Sequence, residues 1–262
     1  MQIKTPITYR LAYRERAVPA WHLALAACLL LAGWEVLVDT DVISALYLPA
    51  PTDILQALAD MTAEGELRMN LTASLYRIFW GFLLGAAPAL VLGLLFGCSR
   101  HIEALGKPLI HSLYPIPKIA LLPLIILWLG IGELSKVTII ALGVFFPVII
   151  NTYSGVKNVP DIYIRVAATY KLSRYALITK IVLPAALPAI FSGLKLAAGS
   201  SLLLLVAAEM IAAKEGLGAL ILRYGDLMIT TKLMAGVAVL SALGVLFNKA
   251  VEWIERRIVR WK

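Results

Sequence analysis

Six side chains carry a charge or a hydroxyl where the surrounding sequence is apolar: Arg77, Lys118, Lys195, Ser200, Ser201 and Glu209. A charge in hydrocarbon is expensive and by default faces a partner charge, water or a pore. Such residues suit electrostatic pairing and the passage of a polar solute, not bond-making. Motifs for bond-making do not occur in the sequence. There is no G-x-x-x-x-G-K-[ST] phosphate loop, no H-E-x-x-H and no G-x-S-x-G. His22, His101 and His111 fall near the ends of apolar runs, and no Ser–His pair at matching depth can be assembled from them. Cys28 and Cys98 read as small buried hydrophobes without a pairing pattern. No catalytic or metal-ligating set is therefore assigned.

The elements that must hold these residues are membrane spans. Of 262 residues 61% are hydrophobic, and the mean hydropathy is +0.86. A soluble domain carries about 45–50% apolar residues. Windows of roughly 20 apolar residues predict six spans, near 20–38, 73–97, 109–131, 134–156, 187–208 and 233–252. The first resembles a signal sequence in its preceding Lys4, Arg10, Arg14 and Arg16. Its long apolar run lacks a clean small-residue cleavage site, so a retained span is expected. The architecture expected is all-α and polytopic: a segment 1–19, a transmembrane domain 20–252, and a basic tail 253–262.

The net charge of +8 does not form a contiguous basic domain, which argues against nucleic acid. It follows topology instead. With the N-terminus inside, the inner segments hold sixteen Lys and Arg and the outer segments five. That asymmetry is the positive-inside pattern. The outer segment 39–72 also carries six acids. Both termini, and the polar stretch 158–184, are thus expected in the cytoplasm of a multi-pass protein of the cell inner membrane.

That stretch reads NVPDIYIRVAATYKLSRYALITKIVLP and is too polar to span. Asn158 can cap a helix, Pro160 suits its first turn, and Asp161 favours its positive end. Ile162, Val166, Ala167 and Tyr170 recur at helical spacing opposite Arg165 and Lys171. Ser173 can cap a second short helix through Ile181, with Pro184 and Pro188 interrupting before the fifth span. Two short helices make an elbow in the cytosol. It either lies on anionic lipid or docks a soluble protein, for which Ala167 and Ala168 allow close approach.

The run Arg165-Val166-Ala167-Ala168-Thr169-Tyr170-Lys171-Leu172-Ser173, followed by Ile181-Val182-Leu183-Pro184, resembles the EAA loop of ABC-importer permeases. Further pieces resemble the branch importing sulfonates, taurine, nitrate or bicarbonate. These are Pro115-Ile116-Pro117, Ala120-Leu121-Leu122-Pro123-Leu124, Trp128-Leu129-Gly130-Ile131-Gly132-Glu133, Phe146-Pro147, Gly193-Leu194-Lys195, Ala208-Glu209-Met210 and Gly216-Leu217-Gly218. They keep the family's order from about residue 45 onward. The resemblance implies a type I importer permease fold with a cytoplasmic coupling elbow (158–184). It also implies separate ABC ATPase subunits carrying ATP and Mg, a second permease copy as in a homodimer, and an external solute-binding protein. No cofactor is expected in this chain. Two positions depart from the pattern: Arg165 stands for the family's Glu, and Lys171 for its Gly. A Gly would permit a left-handed turn; Lys171 must make it at some strain, or the turn is built differently.

The resemblance implies an import path for a small polar solute, with a sulfonate-type anion or a heterocyclic vitamin precursor as cargo. Read locally, Arg77 suits snorkelling to the cytoplasmic surface, and Lys118, after two prolines, faces either the pore or a partner. Lys195 orders the elbow, snorkels or meets substrate. Glu209 pairs with a binding-protein cation, closes an outer gate, or ends the fifth span in water. Gly199, Ser200 and Ser201 either pack helices or line a hydroxyl path. Gly81-x-x-x-Gly85 and Gly93-x-x-x-Gly97 read as packing seams. A secondary transporter would need several midplane acids; only Glu35 qualifies.

Overall fold

The computed structural model describes residues 20–261; the segment 1–19, with its four cations, and Lys262 lie outside the described residues. The described chain is helical throughout, in the order α1 (Ala20–Asp39), α2 (Pro51–Ala63), α3 (Glu66–Cys98), α4 (Arg100–Leu113) and α5 (Leu122–Leu129). There follow α6 (Glu133–Lys157), α7 (Asp161–Thr169), α8 (Arg174–Leu177), α9 (Leu183–Ala212), α10 (Leu217–Asp226) and α11 (Thr230–Ile258). Four helical stretches are long and apolar enough to cross a membrane: α3, α6, Arg174–Ala212 and α11. The 33-residue α3 extends about 50 Å, well beyond a hydrocarbon core of about 30 Å.

The third expected span is not straight. Residues Arg100–Leu113 and Lys118–Leu129 meet at 87°. Pro115, Pro117 and Pro123 cannot donate backbone N–H groups, so the helix breaks and restarts through a 3₁₀ turn at Lys118–Leu121. α1 is an apolar 20-residue helix whose described side chains are mostly exposed.

Three helices make the core. α6 packs against α3 on one side and α9 on the other, around Ile78, Ala89, Ile139, Ile140, Val144, Val148, Ile149, Ala197 and Leu205. The approach is close because small residues line both seams. A Cβ on Gly81 would fall 2.7 Å from Ile140 Cβ, and one on Gly93 would fall 2.6 Å from Thr152 Cβ. Both glycine pairs thus act as the packing seams their spacing predicts. On the second seam, a Cβ on Gly193 would meet Asn151 Cβ at 2.6 Å. Without a hydrophobic force between helices in lipid, such backbone contact supplies the association.

Pro147 sits within α6, so the carbonyl of Gly143 lacks its helical donor. Ser200 of α9 supplies one: its Oγ donates to Gly143 O at 3.1 Å. Ser201 is fully buried and donates to Ala198 O at 2.7 Å. These two hydroxyls bond to backbone inside the bundle, as the packing alternative of the two readings expects. Cys28 and Cys98 are exposed, contrary to expectation. α11 continues through Ile258, so the first residues of the basic segment 253–262 are helical.

Candidate functional site

Two polar assemblies occupy opposite ends of the bundle. At one end is the elbow. Asn158 ends α6, its N–H bonded to Ser154 O at 3.0 Å, and α7 starts at Asp161 after Pro160. The expected capping role of Asn158 is therefore corrected: it closes the preceding helix. The far end of α7 closes as a Schellman motif. Leu172 N donates to Ala167 O at 3.1 Å and Lys171 N to Ala168 O at 3.0 Å. That closure demands a left-handed residue, and Lys171 takes it at φ +52°. Of the two options in the sequence, Lys171 makes the turn itself, at a steric cost of about 1 kcal/mol.

Ser173 caps α8 as expected, its Oγ accepting from Ala176 N at 3.2 Å. The second elbow helix does not stop at Pro184 or Pro188. A π turn at Ile178–Val182 absorbs the irregularity, and the helix runs on into α9 through both prolines. The expected interruption is thus replaced by one 39-residue helix, Arg174–Ala212. Ile181, Leu183 and Pro184 are half-buried along it.

On α7, Ala167 is buried, whereas Arg165, Val166, Ala168, Thr169, Tyr170, Lys171, Leu172 and Ser173 are exposed. Only Ala168 of the two alanines faces outward, because Ala167 lies under the closing turn. The periodic apolar residues Ile162, Val166 and Tyr170 are 60%, 46% and 77% exposed, so no part of the described chain covers them.

At the opposite end lies a buried ionic knot that was not legible as such in the sequence. Arg77 holds Glu133 bidentately, Nε to Oε2 and Nη2 to Oε1, both at 2.7 Å. Its Nη1 donates to Glu209 Oε1 at 2.7 Å and to Glu215 O at 2.6 Å. Glu209, completely buried, also accepts from Ser74 Oγ at 2.8 Å and Gly218 N at 2.8 Å. Asn70 Oδ1 accepts from Gly216 N at 2.8 Å, and Gly216 stands at φ +132° against the Glu209 carboxylate. A side chain there would strain the backbone and collide with Glu209. The knot ties the starts of α3 and α6 to the end of α9 and the 213–218 connection.

Two expectations change. Arg77 lies at the end of the bundle away from the elbow and is buried, so it does not snorkel to the cytoplasmic side. The reason is the direction of α3, which starts at the knot and ends at Cys98 beside the elbow. Glu209 is neither solvated nor free to meet an outside cation, because Arg77 and two neutral donors, Ser74 and Gly218 N, enclose it. The same end is capped by α2 and α10, where Tyr224 donates to Glu66 at 2.6 Å; burial, with Glu66 beside it, pushes the Tyr224 phenol up.

The remaining candidates are dispersed. Lys195 pairs with Glu255 of α11. Lys118 sits at the break between α4 and α5, its Nζ bonded to Tyr114 O and 4.4 Å from the centroid of Phe146. Among the described residues it has no acidic partner. Glu35 accepts from Thr52 N at 3.2 Å at the start of α2.

This all-helical bundle of membrane-length helices, with its exposed elbow, falls in a class of transport permeases by its sequence match. Residues 89–260 match the family described as binding-protein-dependent transport system inner membrane component, and the chain belongs to that family. It is 37% identical over 91% of its length (86% of the relative) to SsuC of Bacillus subtilis (strain 168), a permease named for aliphatic sulfonates transport. It is 34% identical to the taurine transport system permease protein TauC of Escherichia coli (strain K12), over 88% of this chain and 86% of that one. The fold also resembles an inward-facing MetNI methionine ABC transporter chain, with TM-score 0.63 and 18% identity over 75% of this chain and 97% of that one. The protein is accordingly a multi-pass membrane permease of an ABC importer, a family that works with ATPase and solute-binding components.

Proposed function

We propose that the chain forms, with a second copy of itself, the path by which a small organic sulfonate enters the cell. The observation that carries this reading is the state of the cations within the spans. Arg77 has Glu133 and Glu209, Lys136 has Glu133, and Lys195 has Glu255. Lys118, on the broken helix, is left without an acid among the described residues, with Tyr114 and Phe146 beside it. An ammonium held by a carbonyl and two ring faces can receive a sulfonate and release it again, because no fixed carboxylate competes and no second cation traps it. The relatives named for sulfonate and taurine transport support the same cargo.

In this reading the N-terminus faces the cytoplasm, six segments cross the membrane, and α7 seats Ala168 and the exposed Ile162, Val166 and Tyr170 in an ATPase groove. ATP and Mg reside on that ATPase, and its closure moves the elbow as a rigid body. Uptake of labelled alkanesulfonate, taurine, nitrate and pyrimidine into a deletion strain carrying the wild-type gene tests it. Sulfonate uptake is expected to be restored. The Lys118→Gln variant should raise KM on the order of tenfold while ATPase co-purification stays normal. Restoration of pyrimidine uptake alone, or an unchanged KM, would refute it.

A further inference from the structure

A charged cavity beside the elbow belongs neither to the path nor to the exposed face of α7. It has a volume of about 490 Å³ and opens between the α3–α4 junction and the elbow. Gly97, Cys98, Ser99, Arg100, His101 and Val156 form its wall on the bundle; Ile164, Arg174, Leu177, Ile178 and Val182 form its wall on the elbow. Its charge is one-sided. Arg100 and His101 approach from one wall and Arg174 from the other, and no Asp or Glu lines it. Neither arginine has an acidic partner among the described residues. The nearby acid on α4, Glu103, is occupied by Lys157 at 2.5 Å and Tyr153 at 2.6 Å.

Arg100, His101 and Arg174 line one open pocket, and a planar guanidinium fork matches a phosphate or sulfonate bidentately. The remaining wall is apolar: Val156, Ile164, Leu177, Ile178 and Val182 give an organic substituent somewhere to sit. A headgroup-sized oxyanion fits the volume.

We propose that this cavity binds a phosphate-type oxyanion between Arg100 and Arg174 and thereby pins the elbow to the bundle. The chemistry has two sources, the headgroup of an anionic phospholipid or a free cytoplasmic anion. The Arg174 wall lies beside the π turn, where the elbow joins α9, so an anion bridging the walls resists movement of the elbow relative to α3. This inference does not depend on which solute the permease carries, and its test reads binding, not uptake.

The test uses the assembled permease–ATPase complex. In detergent, inorganic phosphate is titrated while the thermal unfolding midpoint is followed. In parallel, the complex is reconstituted in nanodiscs of phosphatidylcholine with or without phosphatidylglycerol, and retained lipid is counted by native mass spectrometry. A saturable effect in one arm identifies the source. Arg100→Gln and Arg174→Gln should each weaken that binding about tenfold, the scale of one charge-assisted contact. Lys180→Gln, which removes an exposed cation outside the cavity, should leave it unchanged. A folded complex of each variant is verified by its circular dichroism and ATPase content. Absence of a saturable effect in both arms overturns the proposal, as does equal weakening by Lys180→Gln. The first of these outcomes would assign the cavity to an ATPase side chain in the assembled complex, and the second would reduce the effect to surface charge.

Discussion

Replacing Glu209 by Gln keeps the shape of the ionic knot and removes its charge. Oε1 of Glu209 accepts from Ser74 and Arg77, and Oε2 accepts from Ser74 and Gly218 N. A glutamine has an oxygen for only one side. Its NH₂ group must then confront an N–H donor, either Arg77 Nη1 or Gly218 N. The site is 0% exposed, so no water relieves the conflict. Removing one partner of a buried pair costs about 3–5 kcal/mol. Arg77 keeps Glu133, whose side chain is 48% exposed, so the loss should lie near the lower end, about 3 kcal/mol. For a chain of this size that lowers the unfolding midpoint by roughly 6–12 °C. Arg77→Ala should cost more, because Glu209, Glu133 and Glu215 O each lose the guanidinium, and Glu209 is left as a buried charge without a counter-charge. The decisive measurement is a double-mutant cycle on the purified permease, followed by tryptophan fluorescence during thermal unfolding. Arg77→Met combined with Glu209→Met replaces the pair with apolar groups and should cost less than the two single changes together, by at least about 2 kcal/mol. Additivity within about 0.5 kcal/mol would show that the two side chains do not share one buried site.

Three other perturbations separate the remaining parts of the structure. Ala168→Trp should abolish ATPase co-purification, because Ala168 is the outward alanine of α7; normal yield of the ATPase with this variant would sink the docking reading. Lys171→Gly should slow hydrogen exchange across 165–173 by removing a left-handed penalty of about 1 kcal/mol, whereas Lys171→Ala should not; equal effects would locate the gain elsewhere. Gly93→Ala should destabilise by about 1–3 kcal/mol through the clash with Thr152, while Gly199→Ala, with nothing within 4 Å of its Cβ, should be nearly neutral; thermal unfolding of the two variants checks the pair.

What was legible in the chain was whatever repeats within one helix. The apolar runs marked α3, α6, α9 and α11, the glycine spacing marked the α3 face that meets α6, and Ser173 announced a cap. The left-handed turn was raised only by the resemblance, which expects a Gly where Lys171 stands and left open whether Lys171 would make the turn itself. What could not be read were pairings across helices. Arg77 and Glu209 stand 132 residues apart, and each alone looked like a charge near a span end. Ser200 was open to packing or to a hydroxyl path because its acceptor, the Gly143 carbonyl orphaned by Pro147, is 57 residues away. A usable signal was present in both cases: a proline within a span leaves the carbonyl four residues earlier in need of a donor. For the acid and the base the signal is span direction: α3 starts where α9 ends, which brings Arg77 and Glu209 to one end of the bundle.

The most consequential difference concerns continuity. Ending the elbow at Pro184 would have separated it from the fifth span by a flexible joint. Instead, Arg174–Ala212 is one helical stretch of 39 residues, about 58 Å long, that starts at the elbow cavity and ends at the ionic knot. Its irregular part, the π turn with Pro184 and Pro188, falls at the elbow end. Beyond it the helix is fastened to α6 through Ser200 and to α11 through Lys195. A displacement of the elbow therefore has two outlets: bending at 178–188, or movement of the whole rod against the knot. Bending breaks few interactions, since Pro184 and Pro188 donate no backbone hydrogen bonds to lose. Moving the rod opposes a completely buried carboxylate with four donor contacts. The knot thus fastens the far end of this rod to α3. A variant that loosens Glu209 should change the coupling between ATPase closure and the outer end even where it leaves the elbow and its partner surface untouched.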